Sequence, residues 1–429
     1  MAPAVCFGPR HLDGVRPAAC PACRIPLHTA APAVADNQPV SKQNRMNAGT
    51  LFSGLASRLK PRIAELGSKP GSIMPEAEFN TFALGLFGLQ FQNVAPYRRF
   101  CEGRGVVPGP VKDWREVPAI PTSAFKELEL TSLTPEERTS VFHSSGTTAD
   151  KPSRHFHGVE SLALYETSLL GWFRQHVVGD WDRLIEDERA GPLDKPAFIV
   201  LTPPSQAVPH SSLVHMFETT RRELASRDSV FTGRVGPDGA WQLDLDATLF
   251  AIRKSMCANR PVTLLGTAFS FVHLLDHFAA NNMRYRLAEG SRVLETGGYK
   301  GRSREMPKAD LHALITTHLG IPADRIVCEY GMSELGSQAY VRTACSDEPK
   351  DASPALHFPP WTRLRLIDPE TATEARAGQP GVIRVFDLAN VYSVAAIQTG
   401  DLGVARGDGF ELVGRAAMAE ARGCSLMPA

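Results

Sequence analysis

No stretch of the 429-residue chain approaches about 18 uninterrupted apolar residues, so a membrane-spanning helix is not expected. Charge of one sign is not in excess: Lys+Arg and Asp+Glu number 46 each. An even balance with no polybasic run gives no pull toward nucleic acid or an anionic membrane surface. Cysteine is sparse. Eight in a chain of this length are too dilute for a disulfide scaffold, and Cys257 and Cys328 sit inside apolar patterns as small buried hydrophobes. A reducing cytoplasm is the natural setting. The N-terminus lacks a basic region followed by an apolar run of about 7–15 residues, which excludes a secretory signal. A Gly-x-x-x-x-Gly-Lys-Ser/Thr run is also missing, so a Walker A phosphate loop is excluded.

What is present is an ordinary soluble composition, 43% hydrophobic and 21% charged, able to bury a large core. Residues 1–45 stand apart. They are rich in Pro and Ala, have no sustained period, and read as a disordered leader or an extension upstream of a start at Met46. Cys20-Pro-Ala-Cys23, with Cys6 and His28 nearby, has the look of a zinc knuckle, but a structural zinc needs four ligands in a fixed frame and none is visible. Leu51, Leu55 and Leu59 then begin a helical pattern. From Phe79 to Phe100 the apolar residues recur at about 3.6, as a buried amphipathic helix. Ser140–Phe142 reads as a short strand, and the later short apolar runs Phe198–Leu201 and Val262–Leu265 are bounded by Pro or Gly and separated by helical stretches. This alternation predicts an α/β fold with a largely parallel sheet. After Ser353 shorter strands take over, at Thr362–Ile367, Gly381–Phe386 and Gly403–Val404, as a small β-rich subdomain.

The strongest local signal is Ser144-Ser145-Gly146-Thr147-Thr148. Small hydroxyl residues around a glycine let backbone N–H groups and hydroxyls converge on an anion such as phosphate. The same run can equally be a polar turn that caps a helix.

Together with other segments in order, this run resembles the adenylate-forming enzymes (acyl-CoA ligases, luciferase-like enzymes, adenylation domains), and within them the acyl-protein synthetase family of bacterial bioluminescence. The segments are Ser144–Thr148 with Pro152-Ser153-Arg154-His155, Ser211–Val214, Glu295–Gly301, Glu329–Leu335 with Ser337–Tyr340, Asp387–Asn390, Thr399–Leu402, Gly414-Arg415, and Arg422–Ser425. The resemblance runs from about residue 50 to the end. It implies an adenylate-forming-enzyme-like α/β domain over residues 46–352, the β-rich subdomain over 353–415, and a truncated mobile tail over 416–429. The reaction implied is ATP- and Mg²⁺-dependent activation of a long-chain fatty or other carboxylic acid as acyl-AMP, followed by transfer to a cysteine, with a fatty-acid reductase as partner.

Residue by residue, the resemblance implies that Ser144, Ser145, Gly146, Thr147 and Thr148 hold phosphates. Glu334 is the Mg²⁺ ligand, Tyr330 with Gly331 meets adenine, and Gly297 and Gly298 pass close to the base. Asp401 accepts the ribose hydroxyls, and Arg415 lies at the hinge beside the nucleotide. Ala149 departs from the glycine common at that point of the loop. Ordinary CoA ligases continue past the Gly-Arg hinge into a small domain with a catalytic lysine; here the last lysine is Lys350. Acyl-protein synthetases are short in the same way and carry a nucleophilic cysteine near the end, for which Cys424 is the match. Nearby Arg422 would favour its thiolate. His155 and His215 are expected as packing or pocket residues. Two alternatives stay open: an acid–CoA ligase of the phenylacetate type, and a catalytically inactive binding subunit.

Overall fold

The computed structural model describes residues 42–144, 151–181, 195–297, 306–346 and 355–415, with backbone alone for 42–48. The helices of eight residues or more, with one short turn, are α1 (Lys42–Ser68), α2 (Glu76–Asn93), α3 (Ala95–Glu102), α4 (Ala124–Glu127), α5 (Val159–Val177), α6 (Ser212–Leu224), α7 (Leu245–Cys257), α8 (Ala268–Ala280) and α9 (Lys308–Leu319). Three start on side-chain caps that take up an otherwise orphaned N–H. Ser211 accepts from Val214 N at 3.3 Å, Asp244 from Ala247 N at 3.0 Å and Thr267 from Ser270 N at 3.3 Å.

Two helical patterns resolve differently from their sequence periods. In α1 the buried stripe is Phe52, Leu55, Ala56, Leu59, Ile63 and Leu66, so Leu51 lies off it and is 56% exposed. The expected helix from Phe79 to Phe100 is two helices, α2 and α3, because the chain leaves helical geometry at Val94 (φ −106°, ψ 86°). Pro96 then sits in the first turn of α3, where its missing N–H costs no hydrogen bond. Cys257, expected to be buried, is exposed at the end of α7; its neighbours Ile252 and Ser255 face inward instead.

The strands are β1 (Ile120–Pro121), β2 (Ser140–His143), β3 (Arg154–His157), β4 (Ala197–Val200), β5 (Val230–Phe231), β6 (Gly233–Val235), β7 (Trp241–Leu243), β8 (Val262–Thr267), β9 (Arg292–Thr296), β10 (Ile326–Tyr330), β11 (Ala339–Val341), β12 (Leu356–His357), β13 (Thr362–Ile367), β14 (Gly381–Asp387), β15 (Ala396–Arg406) and β16 (Gly409–Arg415). One 12-stranded sheet runs in the order β13-β14-β15-β16-β12-β11-β10-β9-β8-β4-β5, with β1 added beside β15. From β5 to β10 the pairs are parallel; from β10 to β13 they are antiparallel. The strands of residues 356–415 therefore continue the sheet begun by β4 and β8.

Both faces of the parallel strands are covered, and apolar residues pack on each. Val200, Leu265, Leu294 and Val327 pack with α1, α2, α5 and α6, whereas Ile199, Leu264, Val293 and Ile326 pack with α7, α8 and α9. This is the period of two expected for a strand. β9 also buries charge, at Arg292 and Glu295. Arg292 is fully buried, donates to Gly290 O and Val177 O at 2.9–3.0 Å, and forms an ion pair with Asp180, whose other oxygen takes Arg325 Nη1 at 2.8 Å. Removing Asp180 would strand a buried guanidinium. Asp180→Ala is expected to lower the unfolding free energy by about 3–5 kcal/mol, as read from urea titrations.

Candidate functional site

In open α/β sheets, ligands sit beyond the carboxyl ends of the parallel strands. Here those ends are Thr267 on β8, Thr296-Gly297 on β9 and Tyr330-Gly331 on β10. Gly297 takes φ +70°, a left-handed conformation that an L side chain rarely adopts, and so turns the chain sharply as it leaves the sheet.

After Tyr330 the chain does not enter a helix. Residues 331–338 fold back as a loop before β11, and Ser333, Glu334, Leu335, Ser337 and Gln338 are all buried. A buried loop must find partners for its backbone. Asp387 supplies several: Oδ2 accepts from Gly336 N at 2.9 Å, and Oδ1 accepts from Ser337 Oγ at 2.8 Å and Ala389 N at 3.0 Å. Burial pushes the Asp387 carboxyl up to about 6, with these donors opposing the shift. Asn390 Nδ2 donates to Glu334 O at 2.8 Å, and His155 Nδ1 donates to Ser333 O at 2.7 Å. A Cβ at Gly336 would come within 2.9 Å of Ala389 Cβ, so the loop lies flat against residues 389–390. The backbone that carries Glu334 is thus anchored from three elements.

Glu334 is 5% exposed, with Ser333 Oγ donating to Oε2 at 3.1 Å. Burial raises its pKa, and the negative charge of Asp401 raises it further; the hydroxyls of Ser153 and Ser333 act in the opposite sense. Asp401 takes the Tyr330 hydroxyl on Oδ2 at 2.9 Å, and Arg415 Nε stands 3.4 Å from Oδ1. The β15–β16 register explains this last pair, since Asp401 and Arg415 are cross-strand partners. The Tyr330 ring is itself packed edge-on against Phe358 and Phe410. Ser144 joins the group from the β2–β3 hairpin, its Oγ accepting from Ser153 N at 2.9 Å.

Of the residues singled out in the sequence, Ser144, Gly297, Tyr330, Gly331, Glu334, Asp401 and Arg415 therefore gather at one end of the sheet. Ser145, Gly146, Thr147, Thr148, Gly298 and Cys424 lie outside the described residues. His155 is buried, and its pKa falls to about 4 because burial disfavours the charged ring; it acts as a neutral strut for the loop. His215 pairs with Glu166 at 2.9 Å. Sequence reasoning assigned no role to Ser153, Asp387 or Asn390. The Asp387–Asn390 motif was the available signal, but nothing in a sequence ties it to a loop some fifty residues earlier.

Beneath Gly331 lies Glu329, 6% exposed and hydrogen-bonded by the Thr296 hydroxyl. A Cβ at Gly331 would fall 2.4 Å from Glu329 Oε1. Burial pushes this carboxyl from 4.5 up to about 7. The native state thus holds a proton that the unfolded chain releases, and stability declines as pH rises from about 4.5 through about 7. Glu329→Gln is expected to flatten that decline, which denaturant unfolding followed across this pH range will show.

The arrangement matches solved ligases in fold. Two structures of 2-hydroxyisobutyryl-CoA ligase, one an open conformation with 2-HIB-AMP and CoA and one in the postadenylation state, align with TM-score 0.54 and 14% identity. Each covers 80% of this chain, against 71% and 69% of the ligase chains. The chain has the fold of the adenylate-forming acyl-CoA ligases. The sequence model described as "Acyl-protein synthetase, LuxE" matches residues 187–428, more than half of the chain, and the protein belongs to that family of acid ligases. It is similar to the long-chain-fatty-acid–luciferin-component ligases of Vibrio harveyi (24% identical, 80% of this chain and 85% of the relative) and Aliivibrio fischeri (25%, 79% and 85%). Among the described residues no helix is long and apolar enough to cross a membrane.

Proposed function

We propose that this protein uses ATP to activate a long-chain fatty acid as acyl-AMP, then takes the acyl group onto Cys424 as a thioester for delivery to a reductase partner. The observation that carries this reading is the convergence of Glu334, Asp401, Tyr330, Arg415 and Ser144 at the carboxyl ends of β9 and β10. In the first step a carboxylate oxygen of the acid attacks the α-phosphorus and pyrophosphate leaves. In the second the Cys424 thiolate attacks the adenylate carbonyl, AMP leaves, and the thiol proton has gone to solvent.

Asp401 suits the two ribose hydroxyls: it is 18% exposed, fixed by Tyr330, and has Arg415 on its far oxygen. Arg415 is 83% exposed, free to turn toward a phosphate, and its strand leads into the segment that carries Cys424. Glu334 fits Mg²⁺. It is a buried carboxylate with a second carboxylate nearby, a hard oxygen donor whose raised pKa a cation would reverse. Mg²⁺ bound there would supply charge neutralisation at the phosphates. The names of the two bacterial relatives support a long-chain fatty acid as the substrate.

The test is acid-dependent exchange of labelled pyrophosphate into ATP by the full chain. Exchange that requires Mg²⁺ and rises with aliphatic chain length is expected. Exchange with aromatic acids alone would move the substrate to the phenylacetate class, and no exchange with any acid would return the protein to a binding role.

A further inference from the structure

On the face of the sheet opposite Glu329, three metal-ligating side chains meet beneath the nucleotide end of β9 and β10. Glu295 and Cys328 are cross-strand partners in that parallel pair, so both point to the same side, toward α9. There His312 Nε2 lies 3.6 Å from Glu295 Oε1 and 3.7 Å from Cys328 Sγ, and the three donor atoms all fall within 4.8 Å of one another. Glu295 is fully buried, and its carboxylate is held by the charge of Lys308 rather than by a well-aligned hydrogen bond. Lys308 Nζ stands 2.9 Å away as an ion-pair partner, on a side chain that is 52% exposed.

We propose that Glu295, His312 and Cys328 form a zinc site that ties α9 to β9 and β10. Zinc bonds to O, N and S of about 2.0–2.3 Å place tetrahedral donors roughly 3.3–3.7 Å apart. Two of the three edges here already have that length. A carboxylate, an imidazole and a thiolate are zinc's usual donors, and with three protein ligands the fourth position falls to water, the pattern of an open site rather than of a closed four-ligand structural one. On binding, the Cys328 thiol gives its proton to solvent and Lys308 swings outward, replaced by the metal as counter-charge to Glu295. The site is then neutral, the two negative donors balancing the 2+ ion, which suits its burial. Its place one residue before Thr296 and two before Tyr330 means that metal binding would stiffen the strand ends that carry Gly297 and Gly331.

The test uses the full chain, freed of metal by chelator dialysis and titrated with Co²⁺ and then Zn²⁺. One equivalent of Co²⁺ is expected to give a thiolate-to-cobalt charge-transfer band with tetrahedral d–d absorption, displaced by Zn²⁺, and Zn²⁺ is expected to raise Tm. Cys328→Ser should abolish the band, the double variant Cys20→Ser, Cys23→Ser should keep it, and Lys308→Met should bind Co²⁺ severalfold more tightly. Should Cys328→Ser fail to fold by circular dichroism, His312→Gln provides the same reading through loss of tetrahedral absorption. A folded wild type without the band, a band that survives Cys328→Ser, or one lost with Cys20 and Cys23 would each overturn the proposal.

Discussion

Cys424→Ala is expected to abolish fatty acylation of the protein while leaving acyl-AMP formation intact. A nucleophile that forms the covalent intermediate has no substitute, so the label should fall by roughly 10³-fold or more. Pyrophosphate exchange, which reports only the first step, should stay within about twofold of wild type. The measurement is a labelled fatty acid with ATP and Mg²⁺, the protein then denatured and treated with hydroxylamine, which cleaves thioesters. Label that survives in Cys424→Ala would place the acceptor on another residue, and exchange lost together with the label would place Cys424 in the first step. A free thiol such as CoA offers a third arm: acylation of CoA at wild-type rate by Cys424→Ala would assign the thioester step to a diffusible acceptor.

Glu334→Gln is the second large effect, and it falls on the opposite step. Glutamine keeps the shape of the side chain and removes its charge. In the proposed role that charge holds a cation at the phosphates, so kcat for pyrophosphate exchange should drop by about 10²–10³-fold. Folding should not suffer. Glu334 is buried beside Asp401, and a neutral side chain relieves both its desolvation and the repulsion between the two carboxylates. An unchanged or raised Tm together with the loss of exchange separates a chemical role from a structural one. A fall in Tm with little change in exchange would assign Glu334 to the scaffold of its loop.

Much of this fold was legible in the sequence because its signals are local. Phe198–Leu201 is apolar throughout and Val262–Leu265 is broken only by Thr263, and they fall on β4 (Ala197–Val200) and β8, strands buried on two faces. Thr362–Ile367 appears with the same limits as β13. Other features depend on contacts across the chain, which a period cannot carry. The pair Gly403-Val404 grew into the eleven-residue β15 because β14, β16 and β1 all pair with it. Leu51 keeps the i, i+4 spacing to Leu55 but points to solvent, since the partners of α1 lie along the Phe52–Leu59 stripe.

The candidate site divides in the same way. Glu334, Tyr330 and Asp401 could be named from motifs in order, and the sheet brings them together. The device that anchors the Glu334 loop could not be named. It needs Asp387 to reach Gly336 and Ser337, His155 to reach Ser333, and Asn390 to reach Glu334, all across long sequence separations. Electrostatic catalysis gains from charge preorganised in a fixed loop, which is what these supports would give Glu334 in its proposed role.

The most direct test of the two-step chemistry is a single-turnover experiment, with enzyme in excess over labelled fatty acid, quenched at successive times. The expected result is a rise of labelled acyl-AMP followed by its decay into hydroxylamine-labile label on the peptide that contains Cys424. Protein label that forms without acyl-AMP, or acyl-AMP that accumulates and never passes to the protein, would contradict it.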